Sequence, residues 1–191
     1  MAGSDAYWDL LNTMEADTTH AAASNRKTIE DYESRAAGRA RAYEDVIPSL
    51  SELKALGIEL ILASSLSTKA LTRFLATYSL GDLFSDVSSR DTAGGVKHVP
   101  LMKALTDWAL EPARVMFLTD TADGLKTAGR VGVNAILMMN DPDAAMKLTA
   151  LGPAGGIVSL HELPDFVRLV LAENTRSNVS PPKPRIRVSD G

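Results

Sequence analysis

Cysteine is absent from all 191 residues, which removes disulfides and thiolate metal sites from consideration. Nor is there an excess of basic charge. Twenty Lys and Arg against 24 Asp and Glu leave a net charge of −4, so nothing points to a nucleic-acid or anionic-membrane partner. No apolar run approaches membrane-spanning length, and the first residues lack the basic-then-apolar layout of a signal peptide. A soluble, cytoplasmic protein is the expectation. Internal repeats are missing as well. What remains is ordinary globular composition, 45% hydrophobic and 23% charged, in a length that suits one complete core and is short for two.

Periodicity switches repeatedly between buried strand and amphipathic helix. Helices are predicted over Ser49–Leu56, with Gly57 as C-cap, and over Ser67–Tyr78, Pro100–Leu110, Asp123–Val131, Pro142–Leu151 and His161–Ala172. Trp108 is placed on the apolar face of its helix. Strands are predicted over Ile58–Ala63, Arg114–Leu118, Val133–Met138 and Gly156–Val158, with a short strand or turn over Leu83–Val87. Such alternation implies an α/β fold, a Rossmann-like three-layer α/β/α sandwich around a parallel sheet. The strands ending at Ala63, Leu118 and Met138 are expected to be parallel neighbours in one sheet. Ser64 and Asp120 would then lie near the same sheet edge.

The ends differ from this body. Residues 1–45 form an amino-terminal helical segment, polar and Ala/Arg/Glu-rich over Asp17–Val46, with a helix expected over Lys27–Tyr43, which would lie beside the sheet as a small helical cap. Residues 46–173 carry the α/β core. Residues 174–191 read as a flexible tail, whose Pro181-Pro182-Lys183-Pro184 run would also suit a proline-reading partner.

The most informative stretch is Val115 to Gly132. Apolar residues run into Thr119-Asp120, and a second acid, Asp123, opens a helical segment that closes on Gly132. Carboxylates at the carboxyl end of a buried parallel strand stand where ligands of such sheets bind. A hard divalent cation there would take their oxygens and keep waters for a phosphate-bearing substrate. The plainer alternative is an acid that caps the following helix.

With these residues in place, the chain from about Tyr43 to Val170 resembles the haloacid dehalogenase superfamily. The second motif of that family, an apolar strand ending in Ser or Thr, is similar to Ile58-Glu59-Leu60-Ile61-Leu62-Ala63-Ser64, with Ser65 beside it. Its third, a Lys before a helix with Pro three positions on, is similar to Lys97 and Pro100. Its fourth is the acidic strand end at Asp120, with Gly132 closing the helix. Within the superfamily, Tyr43-Glu44-Asp45-Val46-Ile47-Pro48-Ser49-Leu50, Gly81-Asp82-Leu83, Ala93-Gly94-Gly95-Val96-Lys97 and Phe117-Leu118-Thr119-Asp120 loosely resemble the enolase-phosphatase branch.

The resemblance implies an Asp nucleophile, a second Asp two residues later as acid–base, Ser and Lys on the phosphoryl oxygens, and acids holding Mg²⁺. Ser64, Ser65 and Lys97 would bind the phosphate of a small phosphorylated ligand. Asp120, Asp123 and Asp9 would be the metal acids. Against these roles stand a helix N-cap for Ser64, a solvated lysine for Lys97 and a capping acid for Asp120. Strands found antiparallel, or in separate sheets, would overturn the resemblance altogether.

The first motif departs from the family. In Asp9-Leu10-Leu11-Asn12-Thr13, Asp9 would be the nucleophile, but Leu11 stands where the acid–base Asp belongs and Asn12 replaces the turn glycine. The other alignment has no first motif at all: the chain begins downstream of the lost strand, and Asp9 lies on an amphipathic helix. The fourth motif is also shifted. Its second acid is usually adjacent to the first or four positions on; the latter is Gly124 here, and Asp123 comes one residue early, a rotation of about 100° on a helix. The expected outcome is a protein of Mg²⁺-dependent phosphohydrolase ancestry with weak or absent metal binding and weak or absent catalysis, acting in binding or assembly with a protein partner. Two alternatives from the enzyme class stay open: a phosphomonoesterase and, less favoured, a dehalogenase, each with Asp9 as nucleophile. His98 reads as a surface residue at a helix start. Asn140-Asp141-Pro142-Asp143 reads as a loop leading into a helix, and Met138-Met139 as core packing.

Overall fold

A computed structural model describes Leu11, Thr13, residues 19–139 and residues 141–178, with side chains through residue 173. In chain order it runs α1 (His20–Ala37), α2 (Val46–Ala55), β1 (Ile61–Ala63), α3 (Thr68–Thr77), β2 (Asp86–Ser88), α4 (Arg90–Ala93), α5 (Val99–Asp107), β3 (Met116–Thr119), α6 (Ala122–Val131), β4 (Asn134–Met138), α7 (Pro142–Thr149), β5 (Gly155–Ile157) and α8 (Leu163–Asn178). Short 3₁₀ turns precede β2, β3 and α8. No helix among the described residues is long and apolar enough to cross a membrane.

Among the described residues all strand pairs are parallel, as the alternation of elements predicts, but they form two ladders. β1 pairs with β2, and β3, β4 and β5 pair in that order. The registers place Ala63 opposite Ser88 and Thr119 opposite Leu137. The strands ending near Leu118 and Met138 are therefore parallel neighbours, as expected. The strand ending at Ala63 is not: its described ladder runs to β2 alone, so the expectation of one continuous sheet through all three fails at β1.

The two ladders still belong to one layer, because they share both hydrophobic cores. On one side, Leu101 and Leu105 of α5 pack with Leu125 and Ala128 of α6 and with Ala135 and Leu137 of β4; Ala63 and Phe117 join them from β1 and β3. On the other, Leu53 of α2 and Leu163 and Val167 of α8 pack with Ile136 and Ile157; Leu60, Met116 and Leu118 join them. This is the three-layer α/β/α arrangement. β4 lies deepest, with Ala135, Ile136 and Leu137 all buried, whereas β1 and β3 are only half-buried along their length. Burial of a side chain such as Ile136 contributes roughly 1.5–3 kcal/mol.

Several boundaries move for local reasons. The amino-terminal helix starts earlier than Lys27, because Thr19 caps it by accepting from Ala22 N–H at 3.2 Å. It ends at Gly38, well short of Tyr43. This segment runs along α3: Lys69 reaches Asp31 at 2.6 Å and the Tyr78 hydroxyl donates to the Ala40 carbonyl at 2.8 Å. The Leu83–Val87 region divides into a 3₁₀ turn and the strand β2. Trp108 is not on an apolar helix face. It caps the end of α5, is 38% exposed, and donates from Nε1 to Asp86 at 3.0 Å. The backbone of α8 runs through Asn178, past the boundary placed at Asn174; Pro181 to Pro184 lie outside the described residues.

Candidate functional site

The loop leaving β1 is the best-built part of the site. Ser64 N–H extends the ladder to the Ser88 carbonyl at 2.9 Å, and Ser64 Oγ accepts from Leu66 N–H at 3.2 Å, which turns the chain. Ser67, three residues on, supplies the cap of α3 by accepting from Ala70 N–H. Ser64 is thus not the helix cap; its hydroxyl belongs to the loop. Ser65 Oγ accepts the backbone N–H of Lys97 at 2.7 Å, so the loops after β1 and after α4 are joined at their tips.

Lys97 is held in an unusual backbone conformation, φ 61°, in the left-handed region. A branched-at-Cβ or long L-residue there costs of order 1–3 kcal/mol, and such residues cluster at functional sites. The half-buried Lys97 immediately precedes His98, the exposed residue that starts α5, with Pro100 in the first turn. Of the sequence-predicted residues, the Lys97 backbone is thus brought to the hydroxyl of Ser65, which follows Ser64 in the same loop.

A second group stands on the β3–α6 turn. Thr121 caps α6 by accepting from Gly124 N–H at 3.0 Å, and its own N–H donates to Thr119 Oγ1 at 3.3 Å. Neither Asp120 nor Asp123 is the cap, which removes the plain reading of both acids. Asp120 is exposed and Asp123 half-buried. Gly124, where a second acid would stand four residues after Asp120, is closed: a Cβ there would meet Thr121 Oγ1 and Thr119 Cβ at 2.9 Å, with Thr119 Oγ1 closer still. Gly132 ends α6 at φ 80°, the left-handed C-cap read from the sequence.

Among the described residues no group of three His, Asp or Glu side chains converges as a metal site. Asp9 lies outside the described residues, as does Asn140. Leu11, described, is helical and fully buried, and Thr13 is helical too. The neighbouring acid–base position of the first-motif alignment is thus a core leucine on a helix, not a side chain at a strand end. Asp141 caps α7, accepting from Asp143 and Ala144 N–H groups at 2.9 and 3.1 Å, with Pro142 next in the helix. Met138 and Met139 pack against the two cores.

Sequence reading missed the groups that brace the first loop. Arg90 donates to Glu33 through Nη1 and Nη2 at 2.7 and 3.1 Å and to the Ser65 carbonyl at 3.2 Å; Glu33 also accepts from Ser67 N–H at 3.0 Å. Both charged side chains are almost fully buried. Burial is the largest single influence on Glu33 and opposes its charge, yet the hydrogen bonds from Arg90 and Ser67 outweigh it and hold the carboxyl below its ordinary range. Nothing in the spacing of a glutamate inside a polar helix and an arginine 57 residues later could have paired them.

Comparison with known proteins bears on these loops. A sequence model of the family described as haloacid dehalogenase-like hydrolase matches residues 6–138. The match begins upstream of Asp9 and runs beyond Lys97 and Asp120. Enolase-phosphatase E1 of Persephonella marina is 32% identical over 126 residues, covering 62% of this chain. This chain in turn spans only 56% of that curated relative's length. Among solved structures, an L-2-haloacid dehalogenase from Xanthobacter autotrophicus is similar at TM-score 0.60 and 20% identity, covering 70% of this chain and 64% of its own. A phosphatase of the same superfamily from Thermococcus onnurineus is similar at TM-score 0.62 and 22% identity, with coverage of 72% and 63%. At such identities the likeness is one of fold. Strands in separate sheets were expected to overturn the resemblance altogether; that expectation was wrong, because the family match takes in β1 to β4, the strands of both ladders except β5.

Proposed function

Because this chain belongs to the haloacid dehalogenase-like hydrolase family, we propose that it is a phosphate-binding member whose hydrolytic step is weakened or lost and which acts in binding or assembly. One contrast carries this reading. The loops after β1 and α4, which would hold the anion, are joined by the bond from Lys97 N–H to Ser65 Oγ at 2.7 Å, while the position of the second acid, Gly124, has no room for a side chain. Ser64, Ser65 and Lys97 offer hydroxyls and an ammonium to phosphoryl oxygens. In the family, Mg²⁺ neutralises charge between nucleophile and phosphate; among the described residues Asp120 and Asp123 are a thin ligand set for it.

Leu11 bears on turnover. A fully buried leucine can neither protonate an alkoxide leaving group nor activate water. General acid–base catalysis contributes about 10²–10⁴-fold, or about 3–5 kcal/mol of barrier. The expected result is measurable binding of inorganic phosphate, lost in Lys97→Ala, with negligible turnover of alkyl phosphates. At most a trace is expected on p-nitrophenyl phosphate, whose leaving group needs no proton. Restoring an acid by Leu11→Asp is a poor test, since a buried unpaired carboxylate would unfold the site before it could act.

A second reading is a working phosphomonoesterase with Asp9 as nucleophile. It is favoured by the family match, which begins at residue 6 and so includes Asp9-Leu10-Leu11-Asn12-Thr13. Robust turnover of an alkyl phosphate, lost in both Asp9→Asn and Asp120→Asn, would establish it and overturn the first.

A further inference from the structure

We propose that Glu33 and Arg90 are a positioning pair that sets the anion loop from α1, so that phosphate affinity at Ser65 and Lys97 depends on a helix carrying neither residue. The inference rests on the phosphate-binding reading above. Its basis is a series of hydrogen bonds. Glu33 on α1 accepts from both prongs of Arg90 and from Ser67 N–H. Arg90 Nη1 also donates to the Ser65 carbonyl. Ser65 Oγ then accepts from Lys97 N–H. Each link fixes the next.

A purely structural role is the rival explanation, and the physics separates the two. The pair is buried, with side chains 3% and 6% exposed. Buried ion pairs are weak sources of stability: removing one partner is damaging, whereas replacing both by apolar residues of similar volume is often neutral. What an apolar pair cannot supply is an acceptor for Ser67 N–H and a donor for the Ser65 carbonyl. Those two bonds orient the residue whose hydroxyl holds Lys97 in its left-handed conformation. The planar fork matters too, because lysine has no rigid pair of donors to divide between a carboxylate and a carbonyl.

Thermal midpoint and the affinity for inorganic phosphate, read by calorimetry, are to be measured together on the full chain. Arg90→Met should lower both. Glu33→Leu/Arg90→Met should recover most of the midpoint and still bind phosphate at least tenfold more weakly than wild type. A folded double variant that binds within twofold of wild type overturns the proposal. Arg90→Lys gives a second arm if the double variant does not fold: it should lose several-fold in affinity, and unchanged affinity overturns the proposal as well. Wild-type binding that Lys97→Ala abolishes keeps the phosphate site standing even where the pair fails. No binding by the wild type removes both.

Discussion

Replacing Gly124 with alanine should destabilise this protein even though alanine is the better helix residue. Gly124 lies in the first turns of α6, where an unhindered Gly→Ala change gains about 0.8–1.0 kcal/mol. Its missing Cβ, however, is replaced by other atoms. Thr119 Cβ and Thr121 Oγ1 would be 2.9 Å away and Thr119 Oγ1 nearer. Thr119 ends β3, whose backbone is bonded into β4, and its hydroxyl lies 3.1 Å from Thr121 Oγ1. Little there can yield cheaply. Overpacking of this kind costs about 1–3 kcal/mol, so the net change should be a loss of about 1 kcal/mol, or about 2–4 °C of melting temperature for a chain of this size. The same helix contains its own control. Gly129 has nothing within 4 Å of where its Cβ would be, so Gly129→Ala should gain about 1 kcal/mol. Urea denaturation of both variants reads the difference. Thr119→Ala added to Gly124→Ala should return part of the loss, since the hydroxyl goes and the Cβ stays. If Gly124→Ala is as stabilising as Gly129→Ala, the packing account is wrong and the position is open to an acid after all.

Other expectations follow from the same geometry. Lys97→Gly should remove the strain of a left-handed lysine, worth about 1 kcal/mol, leave the melting temperature level or slightly raised, and abolish phosphate binding; a clear loss of stability would show that the side chain is held chiefly for structure. Asp45 accepts from the Ser159 hydroxyl and Leu160 N–H at 2.8 and 2.9 Å, and the Ser159 bond foremost holds its carboxyl below the ordinary range. A lowered folded value means that the stabilisation is complete above the ordinary pKa of about 4 and is lost as pH falls through the folded one. Asp45→Asn should therefore cost about 1 kcal/mol at neutral pH and little in strong acid, while a constant difference across a pH series of melts would contradict this. Titration with Mg²⁺ should give no thermal shift at sub-millimolar concentration; a shift that Asp120→Ala abolishes would show a competent metal site.

Much of the architecture was legible because alternation of apolar strand and amphipathic helix is local information. The runs ending at Ala63, Leu118, Met138 and Val158 each overlap a strand, displaced by a residue at β3 and β5, and Gly132 and Pro142 mark helix ends where their backbone preferences put them. Ser65 and Lys97, singled out by residue type and order, do meet through the Lys97 backbone. Element boundaries were less legible, since Thr19 and Gly38, not periodicity, decide where α1 starts and stops.

The sequence by itself determined an α/β chain with parallel strands, a serine loop after β1, a lysine before α5 and acids after β3, because each depends on residues close together along the chain. Tertiary structure alone decided the rest. It divided the strands into two ladders, made Thr121 rather than an acid the cap of α6, closed Gly124 with Thr119, and put Glu33 against Arg90 beneath Ser65. The physical reason is that hydrogen-bond partners and free volume are set by atoms distant in sequence, which meet only when the helices and strands pack.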